Sequence, residues 1–172
     1  MIRLVCVRCA VTYFTVDTTQ RRGLVHYLSW LEPVIGTRLA AGTIGPVVFV
    51  RANLEFTADH GLLVRVAAAG LEGVARWVGA EVKNVYSQGG VKAGYVSVTV
   101  EFANGASALV SAEAAHGEPA MQLLIVGRNG TIRYDDFPAP EQLRETPVAS
   151  EGSVRWIEES LRAGVPVARR RN

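Results

Sequence analysis

Residues Tyr95–Phe102 read YVSVTVEF, residues Ser107–Ala114 read SALVSAEA, and Ala103-Asn104-Gly105-Ala106 joins them. Val96, Val98, Val100 and Phe102 fall on one side of an extended chain, and Ser97, Thr99 and Glu101 on the other. Period-two alternation of this kind makes a strand with one buried and one polar face. Asn-Gly between two β-rich runs is a strong short-range hairpin signal, and it recurs at Asn129-Gly130. The second half of the chain is therefore expected to be built from antiparallel hairpins with one wet face.

Working outward, Glu81–Ser87, Met121–Val126 and Thr131–Tyr134 are further short β-rich runs set off by Gly-containing breaks. The first half has a different grammar. Residues 3–16 read as a single strand and Asp17–Gly23 as a loop. Leu24, Tyr27, Leu28, Leu31, Ile35 and Leu39 recur at helical spacing over 24–41, with Pro33 as a kink or break and Gly42 as terminator. Residues 47–56 read as a strand, and 62–79 as a helix buried on most of its faces that ends at Trp77-Val78-Gly79. After the proline-rich FPAPEQLRETP comes a closing helix of about Gly152–Ala163. Ser150 is its candidate N-cap, Glu151 sits near its positive start, and Gly164 lies just past its end. Helices segregated from an antiparallel meander predict an α+β fold, an open and mostly antiparallel β-sheet with helices packed on one face.

The 172 residues fit one domain, 1–172. Apolar residues make up 49% and charged residues 20%, which excludes a largely disordered chain. The net charge of +2 is no nucleic-acid footprint, and Arg169-Arg170-Arg171 alone reads as a frayed terminus. No apolar run approaches the ~20 residues of a membrane helix. Arg3 and Arg8 interrupt the apolar start, and no small-residue cleavage site follows it. With two cysteines and no export signal, a cytoplasmic location is the expectation.

Few residues announce chemistry. Cys6-Val7-Arg8-Cys9 has redox or zinc spacing, but a structural zinc needs four ligands and no second pair exists. On a strand the two sulfurs would point to opposite faces, so no metal site is expected. His26, His60 and His116 are far apart and share no metal-binding spacing. The weak catalytic candidates are His60, His116, Glu113 and Tyr95, groups able in principle to move a proton. Asp135-Asp136 reads as an exposed acidic turn. There is no G-x-G-x-x-G and no Walker lysine, so no cofactor is expected on this chain.

Four segments in order carry a resemblance. They are LAAGTIGPVV (39–48), RWVGAEV (76–82), VTVEFANGASAL (98–109) and IVGRNGTIRY (125–134). Together, over residues 37–135, they resemble the C-terminal α/β domain of the glucose–fructose oxidoreductase / inositol dehydrogenase family, Gfo/Idh/MocA. The resemblance implies an open sheet with helices on one face, a domain that shapes a small-molecule site, and a sheet face that meets its copy in a dimer. It also exposes departures. Family members carry an NAD(P)-binding Rossmann domain ahead of this region, and only 38 residues precede Leu39 here. The family's Glu-Lys-Pro motif is absent. Its helix reads D-x-G-x-H-x-x-D before the tryptophan, whereas counting back from Trp77 gives Val66, Ala68, Gly70 and Gly73. Glu72 lies beside the vacant position but points elsewhere on a helix.

Three readings are open. The chain is an assembly or small-molecule-binding subunit with no hydride transfer of its own. Alternatively it is the substrate-side half of an oxidoreductase whose Rossmann domain is a separate partner chain, or a cofactor-free enzyme on the same scaffold. Lastly, it is a truncated product with no separate function. The sheet face carrying Ser97, Thr99 and Glu101 is the expected interface, in a homodimer or with the Rossmann-domain partner.

Overall fold

The computed structural model describes residues 2–5, 12–14, 35–56, 62–114, 120–136 and 149–168. Residues 35–40 are helical. The strands are β1 (Ile2–Val5), β2 (Thr12–Phe14), β3 (Val47–Phe56), β4 (Val82–Gly90), β5 (Tyr95–Phe102), β6 (Ser107–Ala114), β7 (Ala120–Gly127), β8 (Gly130–Asp136) and β9 (Val167–Ala168). Two longer helices are α1 (Leu63–Val78) and α2 (Glu151–Ala163). The strands form one sheet in the order β2-β1-β8-β7-β3-β6-β5-β4-β9, and α1 packs over β3, β5 and β6 while α2 packs over β4. This is the α+β architecture expected, open and mostly antiparallel.

Two expectations are corrected. Residues 3–16 are not one strand: β1 and β2 pair antiparallel, with Ile2 opposite Phe14, so the chain reverses between them. The strands of the second half do not form one continuous meander either. β4, β5 and β6 run antiparallel as far as β3, but β6 meets β3 in parallel, and β7 pairs with the far side of β3. The cause is the α1 crossover, which returns the chain in the direction of β3 and leaves it three strands away. Cys6, Cys9 and Pro33 lie outside the described residues.

The alternation in the sequence becomes rows across the sheet. Val85, Val100, Ala108, Val50, Ile125 and Ile132 stand side by side on the helix-covered face, all buried. The next row carries Ser87, Val98, Val110, Ala52, Leu123 and Tyr134, also buried. Small residues in these rows let α1 sit close. A methyl group built on Gly70 would lie 2.7 Å from Val110 Cγ1 and 3.1 Å from Leu54 Cδ1. Helix α1 ends at Gly79 in a left-handed conformation, as its sequence position suggested.

Both Asn-Gly pairs turn hairpins, though neither asparagine has a positive φ. Asn104 accepts a hydrogen bond from the Ala106 N–H at 3.0 Å. At the β7–β8 turn, the N–H groups of Arg128 and Asn129 donate to the carbonyls of Pro46 and Ile44, at 3.0 and 2.9 Å. The segment before β3 is thereby strapped over the turn, and Gly127 leaves no space for a side chain against the Ile44 carbonyl.

Helix α2 is fixed at both ends. The Ser150 hydroxyl caps it by accepting the Ser153 N–H at 3.2 Å, and the Ser150 N–H donates to Glu72 Oε1 of α1 at 2.9 Å. Partial burial pushes the Glu72 carboxyl up, but hydrogen bonds from Ser150 and Ser153 and the nearby charge of Arg76 outweigh it and hold the group below the usual carboxylate range. Near the other end, the Ser87 N–H of β4 donates to Ser160 Oγ at 2.8 Å. The Ser160 hydroxyl in turn lies within reach of the Val85 and Val165 carbonyls, at 3.3 and 3.2 Å.

Gly127→Ala should lower stability by about 2 kcal/mol in urea denaturation, because backbone rather than a flexible side chain must move. Glu72→Ala should cost about 1 kcal/mol at neutral pH. Because the Glu72 carboxyl titrates lower when folded than unfolded, its contribution is present above the unfolded value and lost as pH falls through the folded one. The gap between variant and parent should therefore close in acid, and a gap independent of pH would show that the carboxylate charge plays no part.

Candidate functional site

The sheet face away from α1 and α2 is uncovered by any described element. Strand pairing sets its side chains in rows, as on the buried face. One row holds Tyr86, Thr99, Leu109, Arg51, Leu124 and Arg133. The next holds Gln88, Ser97, Ser111, Asn53, Gln122 and Asp135. A third brings Tyr95, Glu113 and Glu55 together on β5, β6 and β3.

Two of the four weak catalytic candidates thus meet. Tyr95 is opposite Glu113, both exposed, but among the described residues no hydrogen bond joins them. His60 and His116 lie outside the described residues. Both side chains are open to solvent, and among the described residues none closes over them.

Ser97 is half-buried on this face, and Thr99 and Glu101 are exposed there. Glu101 is already engaged within the chain. Asn84 Nδ2 donates to it at 2.6 Å and Lys83 Nζ lies 3.5 Å away. The hydrogen bond from Asn84, followed by the charge of Lys83, holds the Glu101 carboxyl below the usual range. The sequence reading missed the apolar part of the face: Phe49, Leu109, Leu124 and Val126, all half-buried and clustered around Arg51 on the three central strands. The signal was available, since Met121–Val126 is apolar at nearly every position and a strand of that kind is apolar on both faces.

On the other side of the molecule, Val66, Ala68, Gly70 and Gly73 are all buried in or against the core. At Gly70, one of the positions where the resembled helix would present acid–base groups, the side chains of Val110 and Leu54 take up the space. Glu72 points away to Ser150. Between α1 and α2 lies an open cleft of about 590 Å³, lined in part by Leu71, Glu72, Val82, Ser153, Arg155 and Trp156. Its carboxylate is tied to the α2 cap, and Trp156 Nε1 donates to the Val167 carbonyl at 3.0 Å.

The start of α1 is a helix N-terminus that offers no open phosphate cradle. The first turn of α1 is apolar and packed, with Leu63 fully buried and no side-chain cap at Leu62, where a phosphate would need open N–H groups. Among the described residues, no three His, Cys, Asp or Glu side chains cluster to hold a metal ion. Nor is any described helix long and apolar enough to cross a membrane.

No family model matches the sequence. No curated protein matches it either. Solved structures do match. A probable dehydrogenase from Thermotoga maritima superposes with a TM-score of 0.62 at 17% identity, over 83% of this chain and 63% of that one. Apo scyllo-inositol dehydrogenase from Lactobacillus casei gives 0.63 at 13% identity, over 85% and 62%. The same enzyme with bound NAD(H) and scyllo-inositol gives 0.57 at 13% identity, over 83% and 63%. The chain therefore spans less than two thirds of the dehydrogenases it matches. The likeness, the order of elements and the four sequence segments agree: the chain has the fold of the C-terminal α/β domain of Gfo/Idh/MocA-type dehydrogenases.

Proposed function

We propose that this domain works as an assembly module, joining a second subunit through its open sheet face and carrying out no hydride transfer of its own. The observation that carries the reading is the half-buried apolar cluster of Phe49, Leu109, Leu124 and Val126 at the centre of that face. Apolar side chains gathered on a sheet face that no described element covers favour association there. Ser97, Ser111 and Thr99 beside it are small enough to let another sheet approach to the ~10 Å of face-to-face packing. The apolar, buried residues Val66, Ala68, Gly70 and Gly73, standing where the resembled helix carries acid–base groups, support the non-catalytic half of the reading.

A second copy of the chain is the favoured occupant, because twofold contacts are the commonest route to a soluble oligomer. A Rossmann-domain oxidoreductase subunit on the same face is the alternative. Light scattering of the purified chain should give twice 18.5 kDa at micromolar concentration. Thr99→Arg should return it to the monomer mass by burying an unpaired charge. A concentration-independent monomer would rule out the homodimer, and co-purification of a dehydrogenase subunit would then favour the alternative. Calorimetric titration with NADH should show no micromolar binding, and a saturable isotherm would overturn the non-catalytic reading.

A further inference from the structure

The open face carries a charge pattern that selects one way of pairing with a copy of itself. Glu55 on β3 and Glu113 on β6 are direct cross-strand partners, a like-charge juxtaposition that costs stability in an isolated sheet. Arg51 lies four residues before Glu55 on the same strand and the same face, about 13 Å away at 3.3 Å per residue. Arg51 is exposed and flanked by Leu109 and Leu124. Among the described residues, neither Arg51 nor Glu55 nor Glu113 has a hydrogen-bond or ion-pair partner. Asn53, midway between Arg51 and Glu55, belongs to the small polar row with Ser97, Ser111 and Gln122.

For two sheets stacked face to face by a twofold axis in the plane of contact, the charged positions distinguish among the axes that pass through them. An axis running along β3 lays Arg51 on its own copy. One running along β6 lays Glu113 on its own copy, and one between these strands lays Glu55 on Glu113. An axis across the strands at the Arg51 row, or at the Glu55 row, again superposes like charges. An axis across the strands along the Asn53–Ser111–Ser97 row does the opposite, bringing Arg51 of each copy over Glu55 of the other, beside Glu113.

From this we infer that the homodimer is antiparallel, with its twofold axis along the row of Asn53, Ser111 and Ser97, and that Arg51 is the residue that fixes its register. The inference rests on the homodimer reading above and deepens it. Arg51 neutralises a carboxylate pair that has no partner among the described residues of its own chain. The smallest side chains of the face lie at the axis, where the sheets come closest, and Leu109 and Leu124 pack alongside Arg51. Two equivalent charge contacts form per dimer, so the interaction favours a symmetric pair over open-ended stacking.

A charge exchange tests this. Arg51→Glu gives a copy with acidic groups in both rows, and Glu55→Arg a copy with basic groups at positions 51 and 55. Each alone should dimerise about a hundredfold more weakly than the parent in sedimentation experiments, because like charges then face each other. Mixed at equal concentration, the two should form a heterodimer. The carboxylate introduced at position 51 of one copy then faces the guanidinium introduced at position 55 of the other, and at the second contact the native Glu55 faces the native Arg51. Circular dichroism on each variant checks that both remain folded. Recovery on mixing supports the register. A dimeric parent whose variants dimerise equally well, or fail to recover on mixing, overturns the register while leaving the homodimer standing. A monomeric parent overturns the homodimer reading and the register with it.

Discussion

The close approach of helix α1 to strands β3 and β6 governs the rest of the molecule. At Gly70 there is less than a methyl group's clearance above Val110, and Ala52, Ala108 and Ala112 keep the underlying surface low. A helix seated this tightly fixes where the chain emerges at Gly79. That placement puts β4 three strands from β3 and makes β5 and β6 fill the interval. It also buries the one face of the sheet that α1 and α2 can reach, leaving the other for solvent or a partner. Packing at organic-crystal density has little slack for a larger side chain at such a seat. An imidazole at Gly70 and the seat itself are mutually exclusive, so this position of the helix serves as core.

How much of this was legible depends on which interactions decide each element. The alternation in Tyr95–Phe102 and the caps at Ser150 and Gly79 are local, and each was readable from a few adjacent residues. Helix α1 was readable because its apolar positions nearly encircle it. The parallel contact of β6 with β3 was hidden, since it is set by the α1 crossover, and no residue within β3 or β6 records its neighbour's direction. Likewise β1 and β2 were merged because the stretch containing them lacks a breaker that would mark the reversal.

The candidate site was legible only on one of its strands. Ser97, Thr99 and Glu101 follow from the pleat of β5 alone. Arg51 and Leu124 join them only once β3 and β7 are known to lie beyond β6. Glu55 and Glu113 are far apart in sequence, and only the parallel register makes them partners. The resemblance to the dehydrogenase domain supplied the architecture, but the charge layout of the open face belongs to this chain's own residues.

The Ser160 hydroxyl has a consequence for how the molecule can associate. On the outer side of β4, just past the two residues that β9 pairs with, it accepts the Ser87 N–H and sits by the Val85 carbonyl, taking positions that an incoming strand's backbone would occupy. An edge with free amide and carbonyl groups is a template on which further chains add without limit. Here a side chain from α2 terminates that template with a group that cannot itself be extended. Growth by strand addition is closed off at this step of β4, which accords with the proposal that association uses the broad face rather than the strand edge.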